Sequence, residues 1–547
     1  MSELLHPGVY VQEVSSGLQP IQGVSTSTAA FIGVADKGPI PGTKLPSGLP
    51  AQPVLVTSFS EYQRRFGGFR VDSFLTYAAQ AFYQNGGQRL YVVRIAKGAD
   101  TASVASLGSS SSLSPPTPVL QALNQGAWGN SIWVRFAPSS DGVATHFKLI
   151  VMYGSKLADA QQNIVETYDN VAASESLGTT PNDAGTLVNG VSGYIVVTAP
   201  ITAVPPPQPG SPPEPATYQL QGGTDGTPGA DLGDADFIGS TPTDPALSGS
   251  GLHALDKVTD VSLIAIPGRG DVETVNAGVD YCKLERPLND CFFIADVGLI
   301  ANPAAARGPN PQTTVPTVAD AYDFAVKGGL SASSGDYGAL YYPWVFAADP
   351  IGSGTNAKIL LPPSGFVAGI YARTDNARGV FKAPAGTQAG VAGSLAPAVV
   401  VSDTNQDSLN PVYVNAVRTV GASGLVVWGA RTFGAAEWRY VPVRRMAIYL
   451  RSSIYYGIQW AVFEPNDEPL WASLRLNIRS FMLTQFRAGA FQGAKPDDAF
   501  FVKCDASTTT QQDIDNGVVN ILVGFAPLKP AEFVVLKLSQ KVNQPAA

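Results

Sequence analysis

The side chains that could perform acid–base or metal chemistry are few and scattered in this sequence. Its three histidines, His6, His146 and His253, lie in different segments, and none has a cysteine or another histidine at metal-ligand spacing. The sequence contains no HExxH or CxxC pattern, no Walker A loop and no GxSxG nucleophile elbow. We therefore expect no metal site, no cofactor and no enzymatic activity.

Three short motifs resemble ligand sites, and each is better interpreted as local structure. Gly222-Gly223-Thr224-Asp225-Gly226 resembles a phosphate or calcium loop but lacks the remaining ligand spacing, so a turn is expected. Arg269-Gly270-Asp271 spells an adhesion tripeptide directly after a predicted strand, where a turn is again the better interpretation. The carboxylates of Asp497 and Asp498 are adjacent on one backbone, which favours a helix cap or a loop over an acid–base pair.

The composition indicates a folded protein with much of its surface covered by other chains. Hydrophobic residues make up 45% of the 547 residues and charged residues only 14%, below the usual share of about 25%. The net charge of −8 gives no overall attraction to nucleic acid or to an anionic membrane. No apolar run approaches the roughly 18 residues of a membrane span. We therefore predict that the chain binds no nucleic acid and does not insert directly into a membrane.

The cysteines and the first residues indicate the compartment. Cys282, Cys291 and Cys504 are isolated and odd in number, which argues against a disulfide framework and fits a reducing environment. The start, Met1-Ser2-Glu3-Leu4-Leu5-His6-Pro7, lacks the basic region and the apolar core of a signal peptide. We expect the chain to be made and folded in the cytoplasm.

Two stretches alternate between helix and strand, which predicts an α/β middle domain. In residues 21–98, buried-type strands are predicted at 29–34, 53–56 and 90–95. Ser58 and Glu61 have capping-box spacing before one helix, and Asp72 can cap the next. The alternation resumes over residues 251–355. Together the two stretches predict one partly parallel sheet.

The residues between these stretches differ in composition and predict an inserted domain. Residues 99–250 contain a serine run, seven prolines between Pro205 and Pro215, and several strand-like pieces without a long helix. We interpret them as a mostly β outer domain with proline-rich surface loops. The proline-rich stretch could instead be an SH3-type ligand, which is the less favoured interpretation.

Residues 356–530 are predicted to form an α/β C-terminal core domain with two amphipathic helices. The first helix carries apolar residues at every fourth position from Met446 to Ile458. The second is capped by Asn466 or Asp467 and has Pro469 in its first turn. Short β segments follow at 499–502 and 520–525.

Two strand-like segments have no obvious local partner. They are Val9-Tyr10-Val11-Gln12-Glu13-Val14, within an arm at residues 1–20, and Phe533-Val534-Val535-Leu536-Lys537-Leu538, within an arm at 531–547. An unpaired strand needs an edge to join, and we predict that this edge lies on another copy of the chain. The first segment could also be an ordinary first strand of the following domain.

Arg444 and Arg445 are a basic pair at a predicted helix start, where the macrodipole disfavours positive charge. The pair is a candidate for contact with a partner, and a solvated helix face is the alternative.

Several of these segments together resemble the contractile tail sheath proteins. The resemblance lies in Pro7-Gly8-Val9-Tyr10-Val11-Gln12-Glu13, in residues 23–33, in Trp128-Gly129-Asn130, and in the C-terminal runs 441–445, 463–471, 483–493 and 500–505. It covers about half of the chain, and the 99–250 insertion is its least similar part. The family implies a structural subunit that polymerises as stacked hexameric rings around an inner tube.

The resemblance also implies roles for the arms and a set of partners. Sheath subunits donate strands from both termini to neighbouring C-terminal domains, which would correspond here to residues 9–14 and 533–538. They contract from a metastable extended state and drive the tube through a target envelope. The implied partners are further copies of the chain, an inner tube protein that Arg444 and Arg445 could contact, and baseplate and tail terminator or cap proteins. The particle would assemble in the bacterial cytoplasm as a phage tail or a phage tail-like injection system.

Two other functional classes are weighed against the sheath. A β-rich surface adhesin would use the 99–250 domain and an exposed Arg269-Gly270-Asp271, but the sequence has no export signal and only isolated cysteines. A hydrolase with scattered carboxylates such as Asp497 is the least favoured class.

Overall fold

A computed structural model describes residues 20–101, 103–104, 119–206, 215–300, 303–307, 315–353 and 357–533 of the chain. These residues fold into two compact units. The sheet unit comprises residues 25–378 and 383–444, and the terminal unit comprises residues 20–24, 379–382 and 445–533.

The strands of the described residues are, in chain order, β1 (Ala29–Gly33), β2 (Val54–Val56), β3 (Leu90–Arg94), β4 (Ser103–Val104), β5 (Leu120–Ala122), β6 (Ile132–Pro138), β7 (His146–Tyr153), β8 (Ile164–Ala172), β9 (Ile195–Val197), β10 (Thr217–Gln219), β11 (Leu263–Ala265), β12 (Arg269–Gly270), β13 (Phe292–Asp296), β14 (Gly298–Leu299), β15 (Gly338–Tyr342), β16 (Val345–Ala348), β17 (Lys358–Leu361), β18 (Ser394–Pro397), β19 (Val414–Thr419), β20 (Leu425–Val427), β21 (Phe500–Lys503) and β22 (Leu522–Phe525).

The α-helices are α1 (Phe59–Phe66), α2 (Leu75–Gln84), α3 (Leu157–Gln162), α4 (Ala184–Val188), α5 (Asp234–Ile238), α6 (Val272–Asp280), α7 (Val318–Lys327), α8 (Ser364–Arg378), α9 (Asp403–Leu409), α10 (Val441–Gly457), α11 (Glu468–Arg487), α12 (Pro496–Ala499) and α13 (Gln511–Asp515). Among the described residues, no helix combines the length and the apolar character needed to cross a membrane.

An eight-stranded sheet forms the centre of the sheet unit, in the order β2-β3-β1-β11-β13-β15-β19-β20. Its six inner strands run parallel, whereas β2 and β20 pair antiparallel at the two edges. Strands β1, β13 and β15 are buried along their whole length, as expected for parallel strands covered on both faces. The predicted partly parallel sheet, assembled from both sides of the insertion, is confirmed.

Helix starts in this unit follow the local signals in one case and depart from them in another. Ser58 caps α1 by accepting from the N–H of Glu61 at 3.2 Å, which is one half of the predicted capping box. The other half is shifted by one residue, because Glu61 accepts from the N–H of Thr57 at 2.9 Å and not from that of Ser58. Asp72 does not cap α2, which begins at Leu75. Its carboxylate instead binds Arg70 at 2.7 Å, because the half-buried guanidinium offers charged donors where the helix offers only backbone N–H groups.

The inserted β layer has a core of its own. Strands β10-β6-β7-β8 and β4-β5-β9 form two antiparallel sheets. They enclose a set of fully buried apolar side chains that includes Ile132, Val134, Phe147, Leu149 and Val151. The predicted insertion of residues 99–250 ends too late. Helix α5, at residues 234–238, packs against α6, which belongs to the part of the chain that forms the main sheet.

Two arginines fasten this β layer to the main sheet. Arg94 is 2% exposed and donates to the carbonyl oxygens of Ala35 at 3.0 Å and Gln125 at 2.6 Å. Arg70 binds Asp36 at 3.0 Å and Asp225 at 3.2 Å. Buried charge-assisted hydrogen bonds of this kind hold a specific geometry, so the insertion is rigidly joined to the loop that follows β1.

The boundary of the C-terminal domain differs from the prediction. We predicted one domain over residues 356–530, but β19 pairs in parallel with β15, and β20 pairs with β19. Residues 383–444 therefore extend the main sheet, and the terminal unit begins at residue 445, inside α10. Periodicity along the chain predicts the strands correctly, but it carries no information about which sheet they join.

The terminal unit is built on two amphipathic helices, as predicted. Asp467 caps α11 by accepting from the N–H of Leu470 at 3.3 Å, and Pro469 lies in its first turn. The buried core of the unit includes Met446 and Leu450 of α10 and Ile478, Phe481 and Met482 of α11. The every-fourth-residue pattern of α10 therefore marks the buried face of that helix.

Arg444 and Arg445 are buried in the described structure, which contradicts the alternative of a solvated helix face. Arg444 is 7% exposed and Arg445 is 4% exposed. The guanidinium of Arg444 forms an ion pair with Asp336 inside the sheet unit and stacks on Trp438, at 3.8 Å from the ring centroid. Because the interior of its own unit already binds it, Arg444 presents no free charge to a tube protein.

Replacing Asp336 tests this buried ion pair. Asp336 is 3% exposed and also binds Lys283 at 3.1 Å. Asp336→Ala leaves the buried Arg444 without its carboxylate and is expected to lower the free energy of unfolding by about 3 to 5 kcal/mol. The control Asp323→Ala breaks an exposed pair with Lys327 and should cost less than about 1 kcal/mol. Equal losses in thermal denaturation of the two variants would contradict the structural role of Asp336.

The thiols provide a second test of burial. All three cysteines are free and buried, and desolvation raises the pKa of each thiol above its ordinary value. Since the thiolate is the reactive form, a maleimide at pH 8 should leave the native chain unlabelled over minutes and label all three cysteines in guanidinium. Rapid native labelling of any of them would show that its local packing is open.

Candidate strand-exchange site

The last two described strands form a small sheet with unused edges. Strands β21 and β22 pair antiparallel, with Phe500 opposite Phe525 and Lys503 opposite Leu522. No third strand of the described residues joins them. Each strand therefore has an outer edge without a ladder partner within the part of the chain that the structure describes, and such an edge is a template for another strand.

The alternating direction of the backbone N–H and C=O groups shows which residues of β21 and β22 could pair with an added strand. Ala526 donates its N–H to the carbonyl oxygen of Ala499 at 2.8 Å, which is an inward bond of the pair. In an antiparallel ladder inward and outward residues alternate along each strand. The N–H and C=O groups of Val502 on β21 and of Val523 on β22 therefore point away from the pair, towards the open edges.

One face of the hairpin is fixed by aromatic packing, and the other is exposed. Phe500 is 3% exposed, and the rings of Phe500 and Phe525 lie 6.0 and 5.7 Å from that of Phe491. On the opposite face Phe501 is 45% exposed and Leu522 is 52% exposed. The hairpin is therefore held in place on one face and has an apolar outer face, which makes it a candidate acceptor for a further strand.

The polar groups at the end of β21 stabilise its turn. Arg475 donates to the carbonyl oxygen of Cys504 and binds Glu468 at 2.7 Å, and this carboxylate raises the pKa of Arg475. The hydroxyl and N–H of Ser507 donate to Asp505 and lower the pKa of its carboxyl group. These groups hold the backbone in place, and the site offers directional hydrogen bonds and apolar surface for association.

The predicted arm residues relate to this site in different ways. Residues 9–14 and 534–538 lie outside the described residues. Phe533 is described, belongs to the terminal unit and is 76% exposed. The described ends of the chain, residues 20 and 533, thus belong to the same unit as the β21–β22 hairpin. Arg444 and Arg445 are not part of this site.

The short motifs have local structural roles, but these roles differ from the predicted turns. Arg269 and Gly270 form strand β12, Thr224 forms an isolated β-bridge with Asp100, and neither motif forms a ligand loop among the described residues. Asp271 caps α6 by accepting from the N–H of Thr274 at 2.8 Å, and Arg269 is 8% exposed with its guanidinium over the ring of Phe237. Asp225 accepts from the N–H of Ala127 at 2.8 Å and joins the buried Arg70 cluster. Asp497 and Asp498 lie in the short helix α12. The adhesin alternative thereby loses its exposed tripeptide.

The edge of the main sheet where open α/β folds usually bind ligands is filled by side chains. This edge lies at the carboxyl ends of β1 and β11, where the strand order reverses. The cavity there measures about 30 Å³ and is lined by Phe74, Phe237 and Arg269. A volume of this size holds about one water molecule. Among the described residues, no group of three or more His, Cys, Asp or Glu side chains could hold a metal ion.

Sequence reasoning identified the two strands of the hairpin but not that they pair with each other and leave their outer edges open. The segments 499–502 and 520–525 were predicted as β, yet their pairing with each other alone depends on tertiary structure. The sequence offers one signal for this pairing. No further strand-like segment lies between residue 503 and residue 520, so each of the two segments is the nearest strand-like neighbour of the other.

Comparisons with known proteins locate the resemblance. Residues 435–541 match the family model of the phage tail sheath C-terminal domain. The tail sheath protein of Burkholderia phage BcepMu is 32% identical over 174 residues, which cover 30% of this chain and 35% of that protein. The tail sheath protein of Vibrio phage KVP40 is 26% identical over 180 residues, covering 32% of this chain and 26% of that protein. The matched stretches thus span about a third or less of these relatives' length.

The fold is shared over nearly the whole chain. A chain in the structure of the sheath complex of an extracellular contractile injection system, PVC, in its contracted state is 21% identical to this chain. The TM-score is 0.55, and the match covers 99% of both chains. A sheath tail protein from Listeria innocua is 12% identical, with a TM-score of 0.56 and coverage of 93% of this chain and 96% of that one. The family resemblance is confirmed: the chain carries a phage tail sheath C-terminal domain at residues 435–541 and has the overall fold of tail sheath proteins.

Proposed function

We propose that this chain is the structural subunit of a contractile tail sheath. It polymerises as stacked hexameric rings around an inner tube, and contraction from a metastable extended state drives the tube through a target cell envelope. One observation carries the proposal. The match to the sheath C-terminal domain covers most of the terminal unit, and this unit also contains the open-edged hairpin and both described ends of the chain.

Strand exchange would link the subunits. Residues 9–14 and 533–538 are the proposed donors, and the outer edges of β21 and β22 are the proposed acceptors. Added strands form backbone hydrogen bonds with fixed direction and spacing, while the exposed Phe501 and Leu522 supply apolar contacts. Such links let the compact parts of neighbouring subunits reorient without separating, which a contracting tube requires.

The energy for contraction would come from the assembly itself. An extended lattice that is kinetically trapped releases free energy when new subunit contacts form, so the step needs no nucleotide. At the carboxyl edge of the main sheet, side chains leave a cavity of only about 30 Å³, which is consistent with this non-enzymatic role. The low share of charged residues, 14%, fits a chain whose surface is largely covered by its neighbours.

The proposed partners follow from this role. They are further copies of the chain, an inner tube protein, and baseplate and terminator or cap proteins at the tube ends. A chain in the structure of the anti-feeding prophage baseplate has the same fold, at 20% identity and a TM-score of 0.51. Assembly in the bacterial cytoplasm, as part of a phage tail or a phage tail-like injection particle, completes the proposal.

Truncation of either arm tests the exchange. The full chain should form tubes visible by negative-stain electron microscopy, whereas deletion of residues 1–19 or of residues 534–547 should abolish them, because each removes one donated strand per subunit. Circular dichroism and thermal denaturation check that each truncated chain still folds. Normal tubes from both folded truncations would refute strand exchange.

Proline on an open edge tests the acceptor. Val502→Pro or Val523→Pro removes an N–H that points out of the hairpin, while the inward ladder between β21 and β22 stays intact. Each lost hydrogen bond is worth about 1 kcal/mol per interface, so the critical concentration for tube assembly should rise about five- to tenfold.

The matched controls are Val502→Ala and Val523→Ala, which shorten the same side chains but keep the N–H groups. They should assemble near the concentration of the unmodified chain. If alanine and proline variants assembled alike in sedimentation assays, backbone pairing at these edges would be excluded as the link.

A further inference from the structure

The first described residues of the chain lie on a helix near its other end. Ile21 belongs to the core of the terminal unit together with Met446 and Leu450 of α10, and it is 9% exposed. Val24 donates its N–H to the hydroxyl oxygen of Ser453 at 3.1 Å. The segment 20–24, here called the anchor segment, is therefore packed against a helix more than 420 residues away in sequence.

Glycines make this contact closer than other residues would allow. A Cβ added at Gly457 would lie 2.6 to 2.9 Å from three side-chain carbons of Ile21. A Cβ added at Gly23 would lie 2.1 Å from the hydroxyl oxygen of Tyr449. The distances at Gly457 are shorter than carbon atoms tolerate in well-packed interiors and involve the Cβ of Ile21 itself, so this position requires glycine as long as Ile21 stays in place. At Gly23 an added Cβ would displace the end of the Tyr449 side chain.

The three contacted residues of α10 share one helix face. Tyr449, Ser453 and Gly457 are spaced by four residues, which places them in successive turns of the same stripe. Ser453 is fully buried, and burial raises the pKa of Tyr449, whose ring also lies 6.0 Å from that of Phe481. The stripe presents a large ring at Tyr449, a small hydroxyl group at Ser453 and no side chain at Gly457, and the anchor segment packs against it.

We infer that the anchor segment is a fixed point from which the N-terminal arm leaves the subunit, held by the stripe of Tyr449, Ser453 and Gly457. The inference rests on the proposed function, because it assigns the docking a role in strand exchange. Ile21, Gly23 and Gly457 act as positioning residues that determine where the donated strand begins.

The anchor limits the reach of the arm. Residues 15–20 separate Ile21 from the predicted strand at 9–14, and six extended residues span at most about 20 Å. The donated strand must therefore pair close to the subunit that provides it. If segment 20–24 were not docked, its five residues would lengthen the arm, and the strand could pair further from its own subunit. Docking therefore restricts the acceptor to an adjacent subunit.

A disulfide across the contact tests the anchor directly. The Cβ of Ile21 lies 2.9 Å from a Cβ built at Gly457, and the usual separation in a disulfide is about 3.8 Å, so a small local shift accommodates the bond. The double variant Ile21→Cys, Gly457→Cys should form an intrachain disulfide in the soluble full-length chain. The buried native thiols contribute no background. Failure of this disulfide to form would refute the anchor, whether or not tubes assemble.

The same variant separates the anchor from the proposed function. The oxidised chain should assemble tubes, because the disulfide keeps the anchor segment docked while residues 1–19 are donated. If only the reduced chain assembled, the segment would have to undock, and the inference would be wrong. If the unmodified chain formed no tubes while the disulfide formed, the anchor would stand and the proposed sheath function would fail.

Hydrogen exchange gives a milder second test. Ser453→Ala removes only the acceptor of the Val24 N–H and should raise the amide exchange rate of a peptide spanning residues 20–24 about tenfold. Gly457→Val should do the same by displacing Ile21. The control Gly390→Ala adds a Cβ that meets nothing within 4 Å and should leave the rate unchanged. Unchanged exchange in both test variants would overturn the docking.

Discussion

The unpaired backbone edge of the β21–β22 hairpin is the constraint on which the proposed assembly depends. Backbone N–H and C=O groups require partners once they are buried, and a two-stranded sheet satisfies only one side of each strand. The aromatic packing of Phe500 and Phe525 on Phe491 fixes the hairpin before any partner arrives. Association then requires little reorganisation of the acceptor, which favours affinity.

The two compact units divide the physical requirements of such a subunit. The sheet unit is rigid because its parallel strands are buried and because Arg70 and Arg94 fasten the β insertion to the main sheet. The terminal unit contains the acceptor hairpin, the anchor segment and the last described residues. In the proposed assembly, coupling between subunits would be concentrated in about a fifth of the chain, in the region that matches the sheath family model.

Charged groups serve structure in this protein more than they serve surface recognition. Arg70, Arg94, Arg286 and Arg444 are all largely withdrawn from solvent and bind carboxylates or carbonyl groups of their own unit. Arg444 shows why a basic pair in a sequence can mislead: the aromatic rings and the aspartate that bury it come from residues 336–337 and 438. A buried guanidinium needs such partners, because its desolvation is otherwise too costly.

The sequence alone determined most local elements and the resemblance to tail sheath proteins. Helix caps such as Ser58 and Asp467, the buried-type strands and the period of α10 depend on neighbouring residues, so they could be read along the chain. Tertiary structure decided what depends on distant partners: the sheet that β19 and β20 join, the burial of Arg444, the open edges of β21–β22, and the docking of Ile21 on Gly457. These contacts join residues up to 436 positions apart (457 minus 21), and no local pattern encodes such a pairing.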